Sequence, residues 1–300
     1  MTSRNIILLI CLIVFTAGSA TASTLTVGKD QAYTTIQSAI DAAKTGDTIL
    51  VNEGSYGENP VINKNGISIL GNNKENTIID GNNKSSGIRI DQANNVVISG
   101  FTIKNGGGGG SEVAGVTLYM GNGNTISNLN IIDNYVGISL FKGSNNNIVS
   151  GNIVESNLGK LGYGIYLHTS NDNKIFNNNI KNNKVGIYLY DSKTNQLYTN
   201  NLLGNKDSQA YDNNGLNSWD FDKMGNYWSD YGGSGAYVIK GAKNVMDNFP
   251  QDKAFAVKSE AVPTQQGEKA VETEKSTPGF TVISFVISLL AIGIVNRRRK

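Results

Sequence analysis

The chain of 300 residues has a single cysteine, Cys11, which lies inside an N-terminal apolar run from Ile6 to Ala17. A basic residue, Arg4, precedes this run, and the small residues Ala20-Thr21-Ala22 follow it. This order predicts a secretory signal peptide, residues 1–22, that is removed together with the cysteine. The mature protein is therefore expected to have no thiol, no disulfide and no cysteine metal site.

Arginine is almost absent between the ends of the chain, where Arg89 stands alone. Arg4 and the run Arg297–Lys300 account for five of the 26 basic residues, and the end segments that hold them contain no acid. The remainder has 21 basic and 24 acidic residues, a net charge of −3. A mildly acidic chain gives no reason to expect nucleic acid as a partner.

Apolar residues are also scarce between Lys258 and Thr277, a stretch rich in Glu, Lys, Thr, Ser and Gln. This composition predicts a flexible stalk, which we assign to residues 251–278. The apolar run Phe280–Val295 follows, about 24 Å long as a helix, and a basic cluster then ends the chain on the side expected to be cytoplasmic. Residues 279–300 are thus predicted to be a hydrophobic sorting or anchor segment.

The order of Thr277-Pro278-Gly279-Phe280, an apolar run and a basic end resembles the PGF-type C-terminal sorting signal of archaeal surface proteins. The resemblance implies that an archaeosortase removes the tail and that the new terminus receives a lipid. An ordinary C-terminal transmembrane helix is the alternative. Both interpretations predict a secreted protein anchored on the outer face of the cell membrane, in the cell envelope.

Four passages between residues 115 and 205 are nearly identical, and successive passages are 22, 27 and 22 residues apart. Aligned on their glycines, they are Gly115-Val-Thr-Leu118, Gly137-Ile-Ser-Leu140, Gly164-Ile-Tyr-Leu167 and Gly186-Ile-Tyr-Leu189. We interpret the longer step as a five-residue loop insertion at 157–161. A period in the low twenties that contains several short alternating runs is typical of a solenoid whose repeat is one turn of chain.

Three further columns keep about the same spacing, and two of them consist of asparagine. The columns are Asn124, Asn146, Asn173, Asn195 and Asn217; Ile126, Ile148, Ile175 and Leu197; and Asn130, Asn152, Asn179 and Asn201. Asparagine tolerates left-handed backbone at a tight corner, and its amide can donate to one turn and accept from another. The asparagines are therefore predicted to form structural ladders. The alternative, a disordered low-complexity chain, would not keep aliphatic residues in phase with the amides.

These patterns predict an all-β fold, a single-stranded parallel β-helix of eight or nine turns. Turns stacked about 4.8 Å apart would place two files of aliphatic side chains in the interior. The files are Val116, Ile138, Ile165 and Ile187, and Leu118, Leu140, Leu167 and Leu189.

One helical pattern precedes the repeats, between Tyr33 and Asp47, with Thr34 or Thr35 available to cap its start. Its apolar face would cover the open first turn, within a cap and first turns assigned to 23–65. The helix, the strand that begins at Asp47 and the glycine turns that follow resemble the N-terminal part of the pectin-lyase-like β-helices. This resemblance implies a right-handed helix and leaves the chemistry open, because the fold hosts lyases, hydrolases, epimerases, adhesins and scaffolds.

Aromatic residues crowd the end of the predicted β-helix, assigned to 66–250. Asn217-Ser-Trp-Asp220 and Gly225-Asn-Tyr-Trp-Ser-Asp-Tyr231 are similar to the end of the domain named after NosD, a copper-site assembly accessory that recurs in archaeal surface proteins. The aromatics predict a C-terminal cap or, alternatively, a sugar-stacking patch formed by Trp219 and Trp228. The acidic loop common in this pattern is replaced by Gly232–Ala236, so no calcium loop is expected.

The outward positions beside the interior files are expected to be aromatic and hydroxylic, without a carboxylate or an arginine. Six of them form a predicted ligand-binding stripe, namely Tyr119, Phe141, Tyr166, His168, Tyr188 and Tyr190. A row of rings on one sheet suits sugars or a partner protein. The alternative is that the insertion at 157–161 or the loop at 106–110 folds over the stripe and makes it secondary core.

Catalysis and copper handling are the rival hypotheses. A polysaccharide lyase or glycoside hydrolase needs carboxylates gathered on one outer face, whereas the acids here fall at different phases of the repeat. Copper sites use His, Met or Cys, and His168 is the only histidine, with the internal methionines out of register. We therefore assign no catalytic residue, no metal ligand and no cofactor.

The predicted role is envelope structure or recognition, with polysaccharide or a surface-layer glycan or protein as the partner. The membrane would be contacted through the C-terminal segment or its lipid. One sequon, Asn83-Lys84-Ser85, predicts N-glycosylation at Asn83.

Overall fold

The computed structural model describes residues 22–110 and 112–256, so the predicted sorting segment, most of the stalk and the signal peptide up to residue 21 lie outside it. Within this part, one short helix and 26 strands are joined by tight corners. Three parallel sheets of eight strands each, here called A, B and C, form the walls of a solenoid. The predicted right-handed parallel β-helix is confirmed, with about eight turns.

From β2 to β22, each turn of chain contributes one strand to each sheet in the order A, B, C. Sheet A contains β1 (Thr24–Val27), β2 (Thr48–Val51), β5 (Ser68–Gly71), β8 (Val97–Ser99), β11 (Thr125–Ser127), β14 (Ile148–Ser150), β17 (Lys174–Phe176) and β20 (Gln196–Tyr198). Sheet B contains β3 (Gly54–Tyr56), β6 (Thr77–Asp80), β9 (Thr102–Lys104), β12 (Asn130–Ile132), β15 (Ile153–Glu155), β18 (Asn179–Lys181), β21 (Asn201–Leu203) and β23 (Tyr227–Trp228). Sheet C contains β4 (Val61–Ile62), β7 (Ile88–Asp91), β10 (Val116–Tyr119), β13 (Ile138–Phe141), β16 (Tyr163–His168), β19 (Val185–Tyr190), β22 (Ser208–Asp212) and β25 (Lys240–Gly241). The helix α1 (Ile36–Ala42) precedes β2, and β24 (Tyr237–Val238) pairs antiparallel with β26 (Met246–Asp247).

The two predicted interior files are confirmed, because successive members pair in register on sheet C and all eight side chains are fully buried. The repeats begin with glycine for a steric reason. At Gly164 an added Cβ would lie 2.6 Å from the carbonyl oxygen of Gly186 in the next turn, and at Gly137 the carbonyl of Gly164 is closer still. Close stacking of turns at this corner therefore requires a residue without a side chain.

The helix α1 covers the first turn as predicted, with Ile36, Ala39 and Ile40 buried against the core. Thr35 is the N-cap, and its Oγ1 accepts the N–H of Ser38 at 3.2 Å. The carboxylate of Glu58 accepts the N–H of Ile36 at 2.8 Å, which satisfies another unpaired donor of the first helical turn.

Each of the three corners of a turn carries its own asparagine ladder. The ladders are Asn124, Asn147, Asn173, Asn195 and Asn217 between sheets C and A; Asn152, Asn178, Asn200 and Asn226 between A and B; and Asn134, Asn157, Asn183 and Asn205 between B and C. At Asn152 both the backbone N–H and Nδ2 donate to Oδ1 of Asn178, at 3.0 Å each. Nδ2 of Asn152 also donates to the carbonyl of Ile126 in the preceding turn, at 3.0 Å. One side chain thus links three turns.

The predicted first ladder is corrected at one member. Asn147 is buried and donates to Asn173, whereas Asn146 is exposed at the corner, with a left-handed φ of 57°. The predicted aliphatic column shifts in the same way, because Val149 rather than Ile148 pairs with Ile126.

This shift arises because the five extra residues are divided between two corners. Phe141 pairs with His168, 27 residues later, but Ser144 hydrogen-bonds to Ser170, only 26 residues later. One extra residue therefore lies in the corner after Phe141. The other four follow Asn157, which is itself a ladder member rather than part of the insertion.

The predicted column of Asn130, Asn152, Asn179 and Asn201 combines two environments. Asn152 belongs to a buried ladder. The residue that pairs with Asn130 and Asn179 is Ile153, where Asn152 was predicted. Asn130, Asn179 and Asn201 lie on the outer face of sheet B, where Nδ2 of Asn201 donates to Oδ1 of Asn179 at 2.6 Å. The same one-residue shift explains this error.

The ladders end on side chains that accept the last hydrogen bonds. Asp212 accepts from Nδ2 of Asn217 at 3.0 Å, Asp247 from the N–H of Asn226 at 2.6 Å, and Gln209 from Nδ2 of Asn205 at 2.8 Å. Because every ladder donates toward the C-terminus, its last member needs an acceptor.

Both tryptophans close the C-terminal end of the core. Trp219 and Trp228 are each 1% exposed, and Trp228 stacks on Tyr237 with ring centroids 4.1 Å apart. Nε1 of Trp228 donates to Asp247 at 2.9 Å, and Nε1 of Trp219 donates to Asp212 at 3.3 Å. The prediction of Trp219 and Trp228 as ligand contacts is therefore wrong, because the rings are packed inside the cap.

The chain after the cap still contacts the β-helix at the start of the predicted stalk. The N–H of Gln251 donates to the carbonyl of Asn226, and the N–H of Phe255 donates to Oδ1 of Asn201 at 2.8 Å. At least the first residues of the segment 251–278 are thus held by sheet B.

Replacing a ladder residue is expected to cost far more stability than replacing its neighbour. Asn147→Ala should lower the free energy of unfolding by about 3 kcal/mol, because it leaves buried donors and acceptors of three turns unpaired. Asn146→Gly should change it by less than about 0.5 kcal/mol, since glycine accepts the left-handed φ and the side chain is exposed. Urea unfolding of both variants measures the difference, and equal losses would contradict the assignment of Asn147 to the ladder.

The cap should also give stability a defined pH dependence through Asp247. Burial raises the pKa of this carboxyl above its ordinary value, although the donors from Asn226, Trp228 and Phe249 act in the opposite direction. A raised folded-state pKa contributes stability that is complete below the unfolded value of about 3.9 and is lost as pH rises through the folded value.

Removing this titration with Asp247→Asn isolates the effect. The stability of the wild type relative to the variant should fall as pH rises from about 4 toward neutrality, as measured by urea unfolding at a series of pH values. A difference that stays constant, or that grows with pH, would contradict a raised pKa at Asp247.

Candidate functional site

The outer face of sheet C presents two parallel columns of side chains, because residues i and i+2 of each strand point the same way. Column 1 contains Asp91, Tyr119, Phe141, His168 and Tyr190. Column 2 contains Arg89, Thr117, Ser139, Tyr166, Tyr188 and Tyr211. All six residues of the predicted stripe therefore lie on one sheet face, at successive turns.

The rings of column 1 stack on one another along the solenoid axis. The centroids of Tyr119 and Phe141 lie 6.2 Å apart, those of Phe141 and His168 lie 4.5 Å apart, and those of His168 and Tyr190 lie 5.2 Å apart. The interplanar angles in this series are 20° or less. Each inner ring therefore covers the faces of its neighbours and turns only an edge to solvent.

Column 2 is partly covered, as expected from the alternative in which a loop folds over the stripe. Tyr166 is only 6% exposed and forms a small apolar cluster with Phe141, Ala114 and Val136, against which Leu161 packs. Burial raises the pKa of the Tyr166 hydroxyl, which stays protonated at neutral pH. Leu161 belongs to the insertion after Asn157, so this insertion covers part of the stripe.

Tyr188, which packs against this cluster, and Tyr211 continue column 2, with ring centroids 4.9 Å apart. Tyr188 also stacks on Tyr163 at 4.6 Å. Both Tyr188 and Tyr211 are half-buried, so part of each residue is accessible.

Tyr190 ends column 1 and differs from the rings below it. Its side chain is 40% exposed, and among the described residues its ring contact is with His168 on one side. In the next turn, Asn213 hydrogen-bonds to Asp191, the residue after Tyr190. No described ring from that turn stacks on Tyr190. Tyr190 is therefore the most exposed residue of the stripe.

The N-terminal end of the same face carries charge, which corrects the expectation of a face without carboxylate or arginine. Nε of Arg89 lies 3.2 Å from Oδ2 of Asp91, and Cζ of Arg89 lies 4.5 Å from the ring centroid of Tyr119. Nζ of Lys142 lies 3.2 Å from the hydroxyl of Tyr119. Gly87-Ile-Arg-Ile-Asp91 repeats the glycine-led pattern one turn before Gly115, and this signal could have revealed both charges.

A cleft of about 370 Å³ lies beside this face, at the corner between sheets B and C. It is lined by the glycine loop after β9, by the corner Asp133–Tyr135 and by the start of the insertion at Leu158. Asn83 also lines the cleft and lies on an exposed turn. The backbone N–H of Asn83 donates to the carbonyl of Asn105 at 2.8 Å. The sequon is thus accessible, and its glycosylation stays a prediction.

Acidic residues do not converge on sheet C. Of the outward positions in columns 1 and 2, Asp91 alone carries a carboxylate. Two other acids form ion pairs on sheet B, where Asp80 lies 3.6 Å from Lys104 and Glu155 lies 2.8 Å from Lys181. Within the described part of the chain, no three His, Cys, Asp or Glu side chains are grouped closely enough to hold a metal ion.

A search of the described residues finds no helix with the length and hydrophobicity needed to span a membrane. The predicted anchor at 279–300 lies outside these residues.

Several solved structures resemble this chain at low sequence identity. Alginate lyase from Paenibacillus sp. is 17% identical and covers 77% of this chain and 96% of its own, with a TM-score of 0.47. Pectin methylesterase from carrot is 12% identical and covers 80% and 90%, with a TM-score of 0.46. The pectin methylesterase PemA from Erwinia chrysanthemi is 16% identical and covers 70% and 78%, with a TM-score of 0.44. At such identities the likeness concerns the fold and says nothing about chemistry.

No curated protein matches the chain. One family model does match, over residues 21–233, and its description is periplasmic copper-binding protein (NosD). The description agrees with the predicted extracytoplasmic location, and the match includes the aromatic segment on which the predicted resemblance was based. Because the match spans more than half of the sequence, this chain belongs to the NosD family.

Proposed function

We propose that this protein recognises carbohydrate outside the cytoplasm, with the outer face of sheet C as its binding surface and Tyr190 as its main aromatic contact. The observation that carries the proposal is the exposed ring of Tyr190 at the end of a stacked column. An aromatic face with a hydroxyl at its edge suits a sugar, which presents apolar C–H groups on one side and hydroxyls around its rim.

The ring column lowers the entropy cost of such a contact. Tyr190 stacks on His168 at 5.2 Å, and His168 stacks on Phe141 at 4.5 Å, so the ring is already held in place before a ligand arrives. A preorganised side chain loses little conformational freedom on binding. The partly exposed residues Tyr188 and Tyr211 extend the surface sideways, and each carries a hydroxyl, a group that can donate or accept.

In this proposal the protein serves envelope structure or recognition while attached to the cell surface. The C-terminal segment 279–300, or a lipid that replaces it, provides the attachment to the membrane. A polysaccharide or a surface-layer glycan or glycoprotein is the partner. The binding face lies on a rigid solenoid, and a stalk between it and the anchor would let it reach partners away from the membrane.

The face supports binding better than hydrolysis. Glycoside hydrolases use two carboxylates that flank the scissile bond at a separation of roughly 5 to 9.5 Å. On columns 1 and 2 Asp91 has no carboxylate partner, and Arg89 already pairs with it at 3.2 Å. A bound sugar would therefore meet aromatic and hydroxyl groups without an acid and base pair.

Copper, which appears in the family description, does not fit the residues of this chain. The single histidine, His168, lies between the rings of Phe141 and Tyr190, and no second nitrogen or sulfur ligand stands in its column. The internal methionines lie on separate elements, with Met120 after β10, Met224 before β23 and Met246 on β26. Copper ions prefer clustered His, Met or Cys ligands, so copper binding is not part of the proposed function.

Tyr190→Ala should weaken glycan binding about tenfold, because it removes the open aromatic face. A polysaccharide panel identifies a bound glycan first, and calorimetric titration of its oligosaccharide then measures Kd. Phe221→Ala is the matched control, since Phe221 is 49% exposed and packs on Tyr198 at 5.3 Å, close to sheet A. An equal loss for the two variants, or no binding of any glycan by the wild type, would overturn the proposed function.

A further inference from the structure

The N-terminal end of the binding face contains two cations around one tyrosine. The guanidinium of Arg89 covers Tyr119 at 4.5 Å, and Nζ of Lys142 lies 5.4 Å from the same ring centroid. Nζ of Lys142 also contacts the hydroxyl of Tyr119 at 3.2 Å. The three side chains form one group, and Arg89 is the only arginine between the two ends of the chain.

The cations are only partly neutralised. Arg89 pairs with Asp91 through Nε at 3.2 Å, and in the described part of the chain no hydrogen bond engages its two terminal NH₂ groups. Lys142 is exposed and forms no ion pair with a described acid. The group thus contains one carboxylate and two cations, and it keeps a net positive charge at neutral pH.

The donors that remain are of the kind that binds anions. The terminal NH₂ groups of a guanidinium can bind the two oxygens of a carboxylate or a sulfate at once, and an ammonium adds a further charge-assisted donor. Stacking on Tyr119 holds the guanidinium plane in place, which reduces the entropy lost when an anion binds. The hydroxyl of Tyr119 lies beside the ammonium group of Lys142.

This group lies on the same column as Tyr190. Tyr119 and Tyr190 are three turns apart, about 14 Å at 4.8 Å per turn. The edges of Phe141 and His168 lie between them, so the surface from the cations to the open ring is continuous. An extended chain of several sugar units can contact both ends.

We infer that the glycan recognised by sheet C is acidic, and that Arg89 and Lys142 bind a carboxylate or sulfate that it carries. The inference rests on the proposed carbohydrate-binding function. It adds that the ligand is negatively charged and says which end of the binding face its charge occupies. Its anionic group is placed beside Tyr119, at the N-terminal end of the face, and its apolar sugar face at Tyr190.

The test uses the purified full chain and three tetrasaccharides of equal length: a galacturonate, a sulfated galactose and a neutral galactose. Lys142→Gln and Arg89→Gln should each weaken binding of an acidic tetramer at least tenfold and change binding of the neutral one less than twofold. Raising the salt concentration from 20 to 500 mM should weaken acidic binding in the wild type and have little effect on these variants. Comparing the galacturonate with the sulfated tetramer identifies the anion.

Lys181→Gln is the control, because Lys181 lies on sheet B, 2.8 Å from Glu155, and away from the face. Lys142 is exposed, so its variant tests the site even if Arg89→Gln unfolds by leaving Asp91 unpaired. Equal losses for acidic and neutral tetramers, or a loss with Lys181→Gln as large as with Lys142→Gln, would overturn the inference.

The outcome also separates this inference from the proposed function. If Tyr190→Ala weakens binding and the charge variants do not distinguish acidic from neutral tetramers, the binding face stands and the acidic ligand is rejected. If Lys142→Gln and Arg89→Gln weaken binding of acidic tetramers only, and Tyr190→Ala has no effect on binding, the anion site stands and the role of Tyr190 is rejected. If no tetramer binds at all, both are rejected.

Discussion

Hydrogen bonds between buried asparagines, all donated toward the C-terminal end, hold the corners of successive turns together. At Asn152 the backbone N–H and Nδ2 donate to the amide oxygen of Asn178 in the next turn, and the ladders at the other two corners follow the same rule. Aligned amides polarise one another, so a ladder is stronger than its separate bonds. Its last donor cannot be left unpaired in the interior, which explains why buried Asp212 and Asp247 stand at the C-terminal end.

The same vertical stacking fixes the chemistry of the outside. Residues one turn apart lie over one another, so rings at equivalent outward positions stack and cover each other's faces. An aromatic column is then a poor surface for sugar stacking along its length and a good one at its end. Tyr190 provides such an end on sheet C, while Arg89 closes the other end of the column by covering Tyr119.

Periodicity made the fold and its interior predictable, because one residue per turn at each buried position leaves a clear spacing in the sequence. Corners are less regular. One extra residue after Phe141 moved the ladder member from Asn146 to Asn147, and an alignment on glycines alone does not detect it. Burial at the C-terminal end was harder to predict, because Trp219 and Trp228 lie in a cap without repeats. The sequence alone favoured a plug there and left a sugar patch open as the alternative.

Outward residues can vary without cost to the ladders, so members of one β-helix family can share interior and corners and still differ in function. The proposed specificity therefore rests on the outer face rather than on the family description. His168 is part of the ring stack and lacks the neighbours of a metal ligand. The two ends of the face also differ in chemistry, with cations at Arg89 and Lys142 and an exposed ring three turns away at Tyr190. A ligand that uses both ends can bind in one orientation only, since reversing it would place its charge against an aromatic face.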